Sequence, residues 1–83
     1  MDKYRVYLHL DLLDALPKSS KQRRELFKFL RSLEQSPSAP GDFTDKDDTL
    51  RTREIKIIGD YAVTYWTDYP VKVVMVVDVS KAD

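Results

Sequence analysis

The sequence predicts an α+β fold: a four-stranded, mainly antiparallel sheet with an N-terminal helical hairpin packed on one face, in the order β-α-α-β-β-β, as a single domain over residues 1–83. Three observations carry this reading. Between Arg53 and Val79 lie three strand-like runs separated by two turn signals, the pattern of an antiparallel meander. Leu26, Leu30 and Leu33, with Phe27 and Phe29 alongside, recur at helical spacing and form a wide apolar stripe. Tyr4 to Leu10 alternates, with Tyr4, Val6, Leu8 and Leu10 facing one way and Arg5, Tyr7 and His9 the other, as in a half-buried strand.

Each element has its own justification. After the first strand, Asp11 is placed to cap a short helical turn, Leu12 to Leu16, which Pro17 ends. Ser19 and Gln22 have the spacing of a capping box, in which the serine oxygen and the glutamine side chain satisfy each other's free amides. The main helix then runs to a Ser36-Pro37-Ser38-Ala39-Pro40-Gly41 stop, and an acidic loop continues through Asp48. Four aspartates between Asp42 and Asp48 suggest a calcium loop, but the turn glycine and terminal glutamate of that motif are missing, so packing against Arg51 or Arg53 is the expected use. Arg53 to Ile58 alternates polar and apolar, Gly59-Asp60 supplies a hairpin turn, and Tyr61 to Thr67 pairs back. Asp68-Tyr69-Pro70 turns the chain into Val71 to Val79. That run is apolar at nearly every position and is expected to be covered on both faces.

Composition narrows the function. Fourteen basic and fourteen acidic side chains cancel, which opposes binding to nucleic acid by overall positive charge. There is no cysteine, hence no disulfide or thiolate metal site, as fits a cytoplasmic protein. No apolar run approaches the roughly 20 residues of a membrane span, and the opening Met1-Asp2-Lys3 starts no signal peptide. Locally the charge is uneven. One face of the main helix carries Lys21, Arg23, Arg24, Lys28 and Arg31, which reads either as a solvated surface or as a docking stripe for an anionic partner. Tyr61, Tyr65 and Trp66 either fill a core or stack on bases. His9, the one histidine, lies on the polar side of its strand. Asp78 either finds a buried partner or sits at the sheet rim.

The element order, and a meander reading R-E-I-K-I-I-G-D-Y-A-V-T-Y-W, resemble the RelE/ParE superfamily of toxins from type II toxin–antitoxin and plasmid stabilisation systems. The pattern there is a basic residue opening a strand, a glycine turn, then a tyrosine, an arginine, an apolar residue, a residue of any kind and a second tyrosine. Arg53, Lys56, Gly59, Tyr61, Val63 and Tyr65 match it. The resemblance implies a toxin wrapped and silenced by an antitoxin protein. A RelE-type member cleaves messenger RNA in the ribosomal A site without metal or cofactor, its basic side chains stabilising a phosphorane-like transition state. A ParE-type member poisons DNA gyrase instead. Carried onto this chain, the resemblance makes Arg53 and Lys56 the catalytic cations and Arg51, Tyr61, Tyr65, Lys72, Arg24, Lys28 and Arg31 the RNA- or partner-binding residues. The chain departs from the RNA-cleaving pattern at Ala62, where that pattern has arginine, and at Val79 to Asp83, which hold no arginine, tyrosine or histidine. Loss of one transition-state donor costs on the order of a hundredfold in rate. A nucleic-acid-binding module without catalysis is a further reading, resting on the basic helix.

Overall fold

A computed structural model describes residues 3–82. Met1, Asp2 and Asp83 lie outside the described residues, and with them most of the Met1-Asp2-Lys3 opening. The strands are β1 (Arg5–Leu8), β2 (Phe43–Lys46), β3 (Thr52–Ile58), β4 (Tyr61–Asp68) and β5 (Val73–Lys81). They form one five-stranded sheet in the order β1-β5-β4-β3-β2. The expected four strands are therefore five, and the sheet is mixed, because β1 runs parallel to β5 while every other pair is antiparallel. The added strand is β2, inside the stretch expected to be a loop.

The expected helical hairpin also differs. Its first arm is a 3₁₀ helix, Leu10–Ala15, which starts two residues earlier than expected; His9 occupies its N-cap without a side-chain hydrogen bond, so Asp11 is not the cap. Leu10 consequently leaves β1 and is 80% exposed. Leu16 is extended, as a residue before proline prefers, and the buried Pro17 ends the segment. The second arm, α1 (Ser20–Gln35), has half of its capping box. Ser19 Oγ accepts a hydrogen bond from the Gln22 backbone N–H at 3.4 Å. The Gln22 side chain donates instead to Asp60 Oδ2 at 3.1 Å, tying the start of the helix to the β3–β4 turn.

The apolar stripe of α1 lies on one face of the sheet. Leu26, Leu30 and Leu33 pack with Leu12 and Leu16 onto Val63, Tyr65, Val74, Val76 and Val79. Each of these aliphatic side chains contributes about 1.5–3 kcal/mol by leaving water. Phe29 meets the Tyr65 ring edge-on at 5.6 Å, whereas Phe27 stays 38% exposed at the margin. The buried valines of β5 are spaced by two and then by three, from Val74 to Val76 to Val79. A register shift explains this: Thr64 lies opposite Asp78 and Tyr65 opposite Val76, so Val77 is an extra residue and Val79 returns to the core face. Coverage of β5 on both faces is not what forms. Val73, Met75 and Val77, turned away from the helix, remain half-buried. Asp78 is exposed at the rim, accepting from Ser80 Oγ at 3.1 Å.

Turns and loop close the frame. Gly59 has φ +59°, as the β3–β4 hairpin requires. The β4–β5 turn reaches Lys72, whose φ of +58° and N–H bond to the Tyr69 carbonyl delay β5 by two residues relative to expectation. The segment after α1 is strapped to the sheet: Tyr65 donates to the Ala39 carbonyl at 3.0 Å, Thr67 to the Pro37 carbonyl at 2.7 Å, and the Gly41 N–H to Glu54 Oε1 at 2.9 Å.

Candidate functional site

Strand alternation decides where the expected catalytic cations lie. Lys56 is opposite Val63, a core residue, so it belongs to the helix-covered face; Arg53 is opposite Asp45 and shares the open face with Ile55 and Ile57. β3 carries no bulge between them, so the two cations do not converge. Each is also engaged. Arg53 holds Asp45 through two parallel hydrogen bonds, Nε to Oδ1 and Nη2 to Oδ2, both 2.8 Å. This pair holds the Asp45 carboxyl below its ordinary range and the Arg53 guanidinium more firmly protonated. Lys56 Nζ lies 3.7 Å from Asp42 Oδ1, and the same carboxylate accepts the Ile57 N–H at 2.8 Å through Oδ2.

The expected binding residues fall into five places. Arg51 stacks over Trp66 with its guanidinium carbon 3.9 Å from the ring centre, and its Nη1 lies 3.4 Å from Asp47 Oδ2. Asp47 organises the β2–β3 turn: Oδ1 accepts from the Thr49 hydroxyl and from the Thr49 and Arg51 N–H groups, and the Thr49 hydroxyl leads in holding its carboxyl low. The acidic loop thus serves Arg51 and Arg53, as its charge suggested. Lys72 lies in the β4–β5 turn, at the same end of the strands as Arg51 but on the other side of β4. Tyr65 is only 1% exposed, and burial pushes its hydroxyl up to about 12, with Glu54 and Asp42 adding to the shift. Its ring is therefore enclosed and closed to stacking. Tyr61 is half-buried with Lys81 Nζ 5.7 Å over its ring, beside a cleft of about 700 Å³ shared with Lys18 and Gln22. Arg24, Lys28 and Arg31 are exposed and recur at i, i+4 and i+7 along α1 as one basic stripe.

Sequence reasoning missed the Arg51–Trp66 stack, because the two residues are distant in the chain. It also missed a groove of about 180 Å³ between β1 and α1, lined by Val6, Leu8, Phe27, Leu30, Arg31 and Glu34. The signal for that groove was present in the alternation of Val6 and Leu8 and in the off-centre Phe27. Among the described residues no group of three His, Asp or Glu side chains is arranged to hold a metal, and no helix is long and apolar enough to cross a membrane.

No protein-family model matches the sequence, and no curated protein matches it. Among solved structures, the chain superposes on a chain of the archaeal RelE-RelB complex from Pyrococcus horikoshii OT3 with a TM-score of 0.72 and 24% sequence identity, covering 95% of this chain and 94% of that chain. A likeness of this extent at this identity is one of fold. The protein has the RelE-like α+β fold that the meander motif implied.

Proposed function

We propose that this chain is the toxin-like component of a type II toxin–antitoxin pair, bound and neutralised by an antitoxin protein and acting through protein contacts. The observation that carries the reading is the near full-length likeness to a chain of a solved toxin–antitoxin-type complex, the archaeal RelE-RelB structure. Contact with a protein target, of the gyrase type, is favoured over messenger RNA cleavage by the placement of the cations. Arg53 and Lys56 point to opposite faces and each is engaged by an aspartate, while the position after Tyr61 is Ala62. A phosphorane needs several converging donors free to turn to it, each worth roughly 3 kcal/mol.

Tightly controlled expression in a bacterial host tests this reading, following growth together with the integrity of a translated message by primer extension. The expected result is growth arrest with intact message. Codon-periodic cuts would replace the protein-contact reading with ribosome-dependent cleavage, and Arg53→Ala and Lys56→Ala would then be the informative variants. Normal growth would remove the toxin reading altogether.

A further inference from the structure

We infer that the outer face of α1 binds the phosphate backbone of double-stranded DNA, the helix lying in the major groove with its lysines reaching one strand and its arginines the other. This goes beyond the proposed function and is independent of it, because it concerns a surface that the toxin reading leaves unused.

Helical periodicity builds the face. At about 100° per residue, Lys21, Arg24, Lys28 and Arg31 fall within roughly 80° of arc, opposite the buried Leu26, Leu30 and Leu33. All four are exposed, and among the described residues none of them joins an ion pair. They stand in two rows. Lys21 and Lys28 are on the flank toward β3, where Lys28 lines a hollow with Ile57, Ile58 and Gly59. Arg24 and Arg31 are on the flank toward β1, where Arg31 lines the groove with Val6 and Leu8. Within each row the two cations are seven residues apart, about 10 Å along the axis. The acids of the helix are confined to its margins: Glu25 lines the β3-side hollow, and Glu34 is engaged by Lys3 at 3.6 Å.

Chemistry selects the class of ligand. The ridge formed by the two rows holds no apolar side chain, and Phe27 lies beside it with the Arg23 guanidinium 5.8 Å from its ring centre. A protein interface needs an apolar centre, and a helix seated in a membrane surface needs an apolar face to insert. The apolar face of α1 is already used against the sheet. A phosphodiester backbone needs only cations and hydrogen-bond donors. Because fourteen basic and fourteen acidic side chains cancel over the whole chain, any attraction for a polyanion has to come from such a local ridge.

Shape then separates DNA from other polyanions. A helix about 10–12 Å across fits the B-form major groove, about 12 Å wide. The divergence of the lysine and arginine rows suits contact with both walls of that groove. The A-form major groove of RNA is too narrow to admit a helix. A single strand offers one line of phosphates and engages one row.

Fluorescence anisotropy of a short labelled DNA duplex of arbitrary sequence, titrated with the intact domain from low salt upward, tests the inference. Four phosphate contacts predict a slope of about −3.6 for log affinity against log salt, so affinity should fall roughly a hundredfold between about 50 and 200 mM. The charge reversals K21E/K28E and R24E/R31E should each weaken binding by about tenfold or more. K21A/K28A, which removes two contacts without reversing charge, should make the slope shallower by about two. K46A/K81A, at exposed strand positions with the same change in net charge, should leave the slope unchanged. Thermal unfolding checks that each variant folds. No measurable binding at low salt, or equal slopes for the ridge and strand variants, would overturn the inference. So would an RNA duplex, a single strand or anionic lipid vesicles bound as tightly as the DNA duplex. Growth is not measured in this experiment, so DNA binding and toxicity can each fail without the other.

Discussion

Tyr65 shows how one side chain can be lost to recognition by being essential to packing. Its hydroxyl is held by the Ala39 carbonyl and its ring by Phe29, and ionisation inside that environment is disfavoured up to about 12. In the unfolded chain a tyrosine ionises near 10. The folded state therefore binds the proton more tightly: the associated stability is complete below pH ~10 and is lost as pH rises from there toward 12, on the order of 2 kcal/mol in all. Urea denaturation across that alkaline range should show a steeper loss for the parent protein than for Tyr65→Phe, which also costs about 1 kcal/mol at neutral pH by removing the hydrogen bond. Equal slopes would mean that another group dominates. Asp45 works with the opposite sign: its carboxyl is depressed by Arg53, so the stability from that pair is present at neutral pH and fades as pH falls through the folded-state value. Leu50 is under a different constraint, with φ +64° and 75% exposure at the β2–β3 turn. A left-handed leucine costs roughly 1–2 kcal/mol, so Leu50→Gly should raise stability by up to about 1 kcal/mol after glycine's own entropic loss. A fall in the unfolding midpoint would show that the leucine side chain makes a stabilising contact.

The loop between α1 and β2 illustrates what an element needs beyond its own pattern. A Cβ on Gly41 would stand 2.5 Å from the Ile55 carbonyl oxygen, so the chain can cross β3 this closely only with glycine there. Gly41→Ala should cost about 1–3 kcal/mol and loosen β2 first, which hydrogen exchange at Phe43 to Lys46 would register as faster exchange than in β4 and β5. Unchanged exchange in β2 would mean that the strand is held by its ladder alone. β2 was illegible because F-T-D-K has neither the alternation nor the β-branched content of a strand, and it lies among turn-forming aspartates. Its pairing comes from β3, the next strand in the chain, and from the Arg53–Asp45 bonds, so the acidic loop's expected packing against Arg53 takes the form of a strand. By contrast, the β3–β4 hairpin was legible because Gly59 fixes the turn and alternation fixes the register on either side of it. The same alternation already implied that Arg53 and Lys56, three apart, would face opposite ways. What the sequence could not reveal was how each would be engaged, by Asp45 and by Asp42.

At the scale of the whole molecule, the strand order was the largest gap between sequence and structure. Nothing in the alternation of Tyr4 to Leu10 tells which neighbour β1 will choose, and a meander alone suggests a sheet built in chain order. The chain instead inserts β5 between β1 and β4, with Arg5 beside Val73. The Val74, Val76 and Val79 side chains under α1 come from that same inserted strand. One consequence concerns synthesis. Until β5 has left the ribosome tunnel, β1 has no partner strand, α1 has only Val63 and Tyr65 of its floor, and the two ends of the sheet are held only by an open loop whose closure is entropically unfavourable. Protein made as far as the β4–β5 turn should therefore be digested by a protease as readily as an unfolded chain, with resistance appearing in one step once the residues through Lys81 have emerged. Stepwise protection of stalled nascent chains would contradict this. If the single step is found, a half-translated copy has no folded surface to present, and any contact made by that surface can begin only after β5 has been made.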